Sequence, residues 1–411
     1  MKLLGMTLLA CVIFAQPARA AEKKLKVFIL AGQSNMEGHA EVRTFEEIGK
    51  DPLTAPLLKE MRHADGTPKV CDKVWMSYLT GPADGSANGE GVGKLTAGFG
   101  ARSEPTKDGG KIGPEFTFGI HLEKHLDQPI LIIKTAWGGR SLNTEFRPPS
   151  AGPYEFHQAQ LEAMKQKGED IETMKAEKAK ASGAFYRMMI EHVKHVLADP
   201  KRVCPEYDAK QGYEIAGFVW FQAWNDLVDN STYPDHESPD RFALYSDLLT
   251  KFIRDVRKDL DAPAMPFVIG LPGFEGLDTR RTSIINLRKA MAAPAALPEF
   301  KGNVMAVQTA PFWDEKLEEI QDKLGKVGDM QYAILAKQSN GPNADGKMTE
   351  EQVATYMQEY RAKIITPADD EYWQTAASNL GYHYYGSAKT FAQIGKAFAE
   401  AILKMRNPTQ P

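Results

Sequence analysis

The chain has 411 residues, of which 25% are charged and 43% hydrophobic, with a formal net charge of -4. That balance suits a folded globular chain and excludes disorder, collagen and coiled coil as the main class. It lacks the basic surplus of a nucleic-acid binder. Beyond the N-terminus no apolar run reaches the roughly 18 residues that a membrane-crossing helix needs.

Lys2 opens a short positive region, Leu3 to Ala15 is almost wholly apolar, and Ala18-Arg19-Ala20 supplies a small-x-small cleavage pattern. The expectation is a signal peptide over residues 1–20, cut near Ala20, and an exported chain (periplasmic or extracellular) over 21–411. A lipoprotein cut before Cys11, at Leu8-Leu9-Ala10-Cys11, is the competing reading and leaves a very short apolar stretch. Cys71 and Cys204 either pair in an oxidising compartment or stay as two buried thiols.

Short apolar runs follow at Lys26 to Ala31, Val74 to Tyr78, Pro129 to Lys134, Ile215 to Phe221, Pro266 to Ile269 and Asn303 to Val307. Continuous apolar runs of this length suit strands buried on both faces. Helical patterns lie between several of them. Pro114 opens one that runs to about Leu126. Ser238-Pro239 reads as the cap and first residue of another. A third starts near Ser387, with Phe391, Ile394, Phe398, Ala401 and Ile402 as its apolar stripe. Strand and helix in alternation predict an α/β fold, a three-layer αβα sandwich around a central parallel sheet. One elaborated domain is expected over 21–411. Insertions are expected at about 81–113 (glycine-rich loop), 154–182 (exposed helices) and 315–370 (polar, partly helical).

Chemistry-bearing residues sit at the strand ends. The first strand runs into Gly32-Gln33-Ser34-Asn35-Met36. A serine there faces the crevice where open α/β sheets bind ligands, and N–H groups of a following helix can hold an anion beside it. Ser34 is thus a candidate nucleophile or a simple helix cap. A second strand ends in Trp137-Gly138-Gly139-Arg140, where glycines let backbone N–H groups approach a ligand. A third ends in Gln222-Ala223-Trp224-Asn225-Asp226, and the Asn225 amide is a candidate oxyanion donor or a turn residue. Of nine histidines, His121 with His125 and His192 with His195 have helical spacing but no companions that make a zinc pattern. His383 instead lies in a loop, Asn379 to Gly386, just before the last helix.

These four blocks in this order resemble the SGNH hydrolase superfamily. More closely they resemble its sialate O-acetylesterase-like branch, related to the family six acetylxylan esterases, whose first block typically reads Gly-Gln-Ser-Asn-Met. The resemblance spans about Lys26 to Leu403 and implies a flavodoxin-like fold with helical and loop insertions. It makes Ser34 the nucleophile and His383 the base. The oxyanion hole would be the Ser34 N–H, Gly138 or Gly139, and Asn225. It implies a secreted carbohydrate O-acetylesterase acting on an acetylated sugar, with no metal and no cofactor. Two departures stand out: Ala223 where the family often has Gly, and Leu380 where the wider pattern has the Asp of the triad. Asp226, an acid of the polar insertion, or a backbone carbonyl would then take that third place. Gln33, Asn35, Trp137, Arg140 and Trp224 are the expected substrate-binding residues; Trp137, Trp224 and Tyr385 either pack in the core or give an apolar floor for a sugar face, and Arg140 either binds the carboxylate of an acidic sugar or pairs with an internal acid. Another SGNH esterase, or a silent carbohydrate-binding relative, is the alternative function.

Overall fold

The computed structural model describes residues 23–80, 89–101 and 110–407. The expected signal segment and Cys11 lie outside them. All six apolar runs are strands. The sheet comprises β1 (Leu25–Gly32), β2 (Val74–Thr80), β3 (Gly89–Lys94), β4 (Ile130–Ala136), β5 (Tyr213–Phe221), β6 (Phe267–Leu271) and β7 (Val304–Gln308). Their spatial order is β3-β2-β4-β1-β5-β6-β7.

Every neighbouring pair is parallel except β2 with β3. The expected all-parallel sheet is therefore corrected at one edge. Only residues 81–88 separate β2 from β3, too few for the dozen or so that a parallel crossover requires. In sequence this stretch reads as loop because of its glycines. The strand forms because one antiparallel neighbour supplies its ladder hydrogen bonds.

Val27 to Ala31 are fully buried, as a strand covered on both faces demands. One cover layer is the helix pair Glu115–His125 and Ala388–Arg406. Phe28 meets Phe118 edge-on at 5.7 Å, and Phe221 meets Phe398 at 5.3 Å. The other layer holds the helices Ala184–Ala198 and Ala243–Asp259, with Phe252 4.5 Å from Trp220 and 5.5 Å from Tyr186. Alternation along β5 sends Gly217 and Phe221 to the first layer and Phe218 and Trp220 to the second. Each such buried aromatic contributes on the order of 2–3 kcal/mol.

Ser238-Pro239 does not open a helix. The Ser238 hydroxyl accepts from the Asp240 N–H at 3.1 Å in a preceding turn, and the helix begins at Ala243. Residues 154–182 carry the helices Gln158–Lys167 and Ile171–Ala181, neither with a buried residue. The segment 315–370 carries Glu315–Leu335, Glu350–Ile364 and the start of Pro367–Ala376. Cys71 and Cys204 are both free and buried. Among the described residues no helix is long and apolar enough to cross a membrane.

Candidate active site

The carboxyl ends of β4, β1 and β5 stand side by side. Gly32 lies level with Ala136 on one side and Phe221 on the other. The Trp137 N–H donates to Gly32 O at 3.1 Å, and the Gln33 N–H to Phe221 O at 3.3 Å. The three blocks that follow these strands are therefore one surface. A β-carbon at Gly32 would lie 2.1 Å from Phe221 O, so only glycine lets β1 and β5 approach this closely.

Ser34 is the first residue of a one-turn helix, Ser34–Glu37, and is 7% exposed. A β-carbon at Gly138 would lie 3.6 Å from that of Ser34 and 3.2 Å from Glu37 Oε2. The missing side chain leaves the serine uncovered on that side. The N–H groups of Ser34, Gly138 and Gly139 donate to no backbone acceptor among the described residues. Buried Lys134 holds the helix from below, donating to Glu37 O at 2.8 Å, to Glu115 Oε2 at 3.0 Å and to Phe99 O. The sequence reading passed over Lys134 as an ordinary strand residue.

The Gln33 carboxamide oxygen accepts from Gln222 Nε2 (3.1 Å), the Ala223 N–H (3.2 Å) and the Asn225 N–H (3.3 Å). It ties the serine turn to the Asn225 turn. The Asn225 side chain itself is half-buried and makes no hydrogen bond to the described residues.

His383 lies in the turn Gly381–Gly386. Asn35 Nδ2 donates to Tyr382 O at 3.1 Å, which fastens this turn to the residue after Ser34. Burial, with the positive charge of Lys111, pulls the His383 pKa down to about 4. The imidazole is thus neutral near pH 7, as a general base must be. Its Nδ1 lies 3.0 Å from Asn379 Oδ1. Its ring stacks on His39 at 3.9 Å with 4° between planes. No hydrogen bond joins the Ser34 hydroxyl to an imidazole among the described residues.

Several expected roles are corrected. Asp226 makes no hydrogen bond to His383 among the described residues. It is 1% exposed and accepts from the Leu142 N–H (2.8 Å), the Asn143 N–H (3.3 Å), Gln222 Nε2 (2.7 Å) and Tyr233 OH (3.0 Å). Burial pushes its pKa up to about 6 against these four bonds. The neighbour of the imidazole is Asn379, four residues before it and inside the block the sequence reading quoted. The signal was missed because an acid was sought three residues before the histidine. Gln33, Asn35, Trp137 and Tyr385 are buried; the first two bond inside the protein, and Trp137 packs 5.1 Å from Phe185. The Trp137 and Tyr385 rings thus take the core-packing alternative. Trp224 stays half-exposed, 5.7 Å from Tyr382 and 5.0 Å from Phe274. The Arg140 guanidinium lies 4.3 Å over the Phe185 ring. Its Nε and Nη2 are covered and have no hydrogen-bond partner among the described residues.

A second serine–histidine contact lies elsewhere. The Ser77 hydroxyl is 2.7 Å from Glu90 Oε1 and 2.9 Å from His192 Nε2. Ser77 is fully buried, so this cluster closes β3 on β2 and is closed to substrate.

The family model for the carbohydrate esterase, sialic acid-specific acetylesterase matches residues 97–309, just over half the chain. The chain belongs to that family. It is a carbohydrate esterase, a hydrolase of ester bonds with an acetylated sugar as its class of substrate. The matched stretch contains Gly138 and Asn225; Ser34 and His383 lie outside it. No curated protein matches this esterase in sequence. Similar solved structures include a protein from Arabidopsis thaliana, 17% identical over 70% of this chain and 86% of its own, with a TM-score of 0.36. A carbohydrate acetylesterase from Xanthomonas citri is 15% identical over 69% of this chain and 49% of its own, TM-score 0.37. NanS is 13% identical over 70% and 78%, TM-score 0.39.

Proposed function

We propose that this esterase removes O-acetyl groups from carbohydrates by a serine–histidine mechanism in the Ser34 crevice. One observation carries the reading. The Asn35–Tyr382 hydrogen bond brings the loop of a neutral histidine against the serine turn, beside N–H groups that meet no backbone acceptor among the described residues. In the first step His383 takes the hydroxyl proton while Ser34 attacks the acetyl carbonyl. The N–H groups of Ser34 and of Gly138 or Gly139, with the Asn225 amide, receive the oxyanion; one such donor is worth roughly 2.7–4 kcal/mol in enzymes that use it. His383 then protonates the departing sugar hydroxyl, and water attacks the acyl-enzyme by the same route. Trp224 offers an apolar face to a sugar ring and Arg140 a cation to an acidic one. The same reading takes the chain as exported, supported by Lys2, the apolar stretch after it and Ala18-Arg19-Ala20.

The test is acetate release from 4-nitrophenyl acetate, acetylated xylan and O-acetyl sialic acid by wild type, Ser34→Ala and His383→Gln. Both variants should lose about 10³-fold or more in kcat. Activity that persists in Ser34→Ala would remove the serine from the mechanism. The ratio of xylan to sialate turnover names the sugar.

A further inference from the structure

In a serine–histidine pair the imidazole must keep its proton on the nitrogen away from the serine. A buried carboxylate usually imposes that by accepting from Nδ1–H. Here the residue at Nδ1 is Asn379, whose amide can serve only if its oxygen, not its NH₂, faces the ring. The neighbouring backbone decides. The Leu380 N–H lies 2.8 Å from the same Asn379 atom, and a peptide N–H can only donate. That atom is therefore the oxygen. His383 Nδ1 must carry the proton, and Nε2 is left with its lone pair. The other end of the amide agrees: Nδ2, a donor, lies 3.5 Å from His39 Nδ1. His39 Nε2 lies 3.9 Å from Glu37 Oε2.

We propose that Asn379 is the positioning residue of the hydrolytic pair: one neutral amide that fixes the tautomer of His383 in place of an acid and, through its NH₂, holds His39 flat against the catalytic ring. The inference rests on the Ser34–His383 reading above. It has a chemical consequence. A carboxylate at Nδ1 favours the imidazolium and raises the pKa of the base. An amide does not. Among the described residues the other groups about the ring are His39 across the stack, the Glu37 carboxylate next to His39, the Tyr382 ring 4.5 Å away and the positive charge of Lys111. This esterase should therefore keep its base unprotonated, and stay active, at more acidic pH than a carboxylate-backed one.

The experiment is the pH profile of kcat/KM on 4-nitrophenyl acetate for wild type, Asn379→Asp and Asn379→Ala, with His383→Gln as reference. Asn379→Asp should move the acid limb upward by about one pH unit or more. Asn379→Ala should lower kcat by about 10–100-fold and leave KM within about twofold, because the ring loses its orientation while the binding surface stays. An unmoved acid limb in an active Asn379→Asp, or wild-type kcat in Asn379→Ala, overturns the assignment. If His383→Gln is inactive while both Asn379 variants behave as wild type, only this assignment falls; if His383→Gln is fully active, the hydrolytic reading itself falls. A second measurement does not use the Asn379 variants. Long-range ¹H–¹⁵N spectra of histidine-labelled wild type, with His383 assigned by its loss in His383→Gln, should show Nδ1 protonated and Nε2 bare. The opposite tautomer overturns the proposal.

Discussion

Asp226 and Asn379 show how little the residue type alone says about its job. Asp226 is an acid next to the candidate oxyanion donor, and its four hydrogen bonds all hold protein to protein. Each carboxylate oxygen accepts from one backbone N–H, so the NH₂ of an asparagine would face one of them without being able to accept. Asp226→Asn should therefore cost about 2–4 kcal/mol of stability, read as a lower denaturant midpoint, and leave the acid limb of the pH profile in place. A shifted acid limb with unchanged stability would return Asp226 to the catalytic pair. Asn379 has the reverse character: an uncharged residue takes the place beside the imidazole because Leu380 orients it. In the sequence, Ser34, Gly138 and Asn225 were legible because each follows a recognisable strand. The partner of His383 was not, because one residue of loop decides which side chain faces the ring.

At the scale of the element, the His383 turn is strained. Tyr384 and Tyr385 both adopt left-handed backbone, with φ of +50° and +57°. That conformation costs an L-residue roughly 1–2 kcal/mol, and it persists because neighbours over-determine it. The Tyr384 hydroxyl accepts from the Gly273 N–H and lies against Thr309 Oγ1, both at 2.8 Å. Tyr385 O accepts from the N–H groups of Ser378 and Asn379. Tyr384→Phe leaves the buried Gly273 N–H without an acceptor. It should lower stability by about 1–3 kcal/mol and lower kcat with KM nearly unchanged, since the loop that aims His383 loosens. Equal kcat would show that the strain does not aim the histidine. Elsewhere, element type followed from pattern when both faces are buried: β1, β4 and β5 read as continuous apolar runs. The edge strand β3 did not, because its glycines erase the pattern. The helix at Ala243 starts later than Ser238-Pro239 suggests, because that pair stabilises a turn instead.

For the whole molecule, the question of pairing between Cys71 and Cys204 is answered by burial in separate environments. Burial pushes the Cys71 thiol far up and that of Cys204 up to about 11, so neither supplies thiolate near pH 7. The native esterase should leave both unmodified by a thiol-reactive dye, and denaturant should expose both together with the loss of fold. Rapid labelling of either in native buffer would contradict their burial. The three-layer architecture was legible from the order of strands and helices, since a parallel sheet must be covered on both faces. Its strand order was not, because the register between β1, β4 and β5 comes from contacts far apart in the chain.

By itself the sequence determined the local things: which runs are buried strands, and which blocks carry a serine, two glycines, an amide and a histidine. Periodicity and residue chemistry are local and survive without a fold. Only the tertiary structure decided what those residues touch. It turned Gln33, Asn35, Trp137 and Asp226 inward, joined the two ends of the chain through Asn35 and Tyr382, and put Asn379 rather than an acid at His383. Hydrogen-bond partners hundreds of residues apart are chosen by packing, and no spacing along the chain encodes that choice.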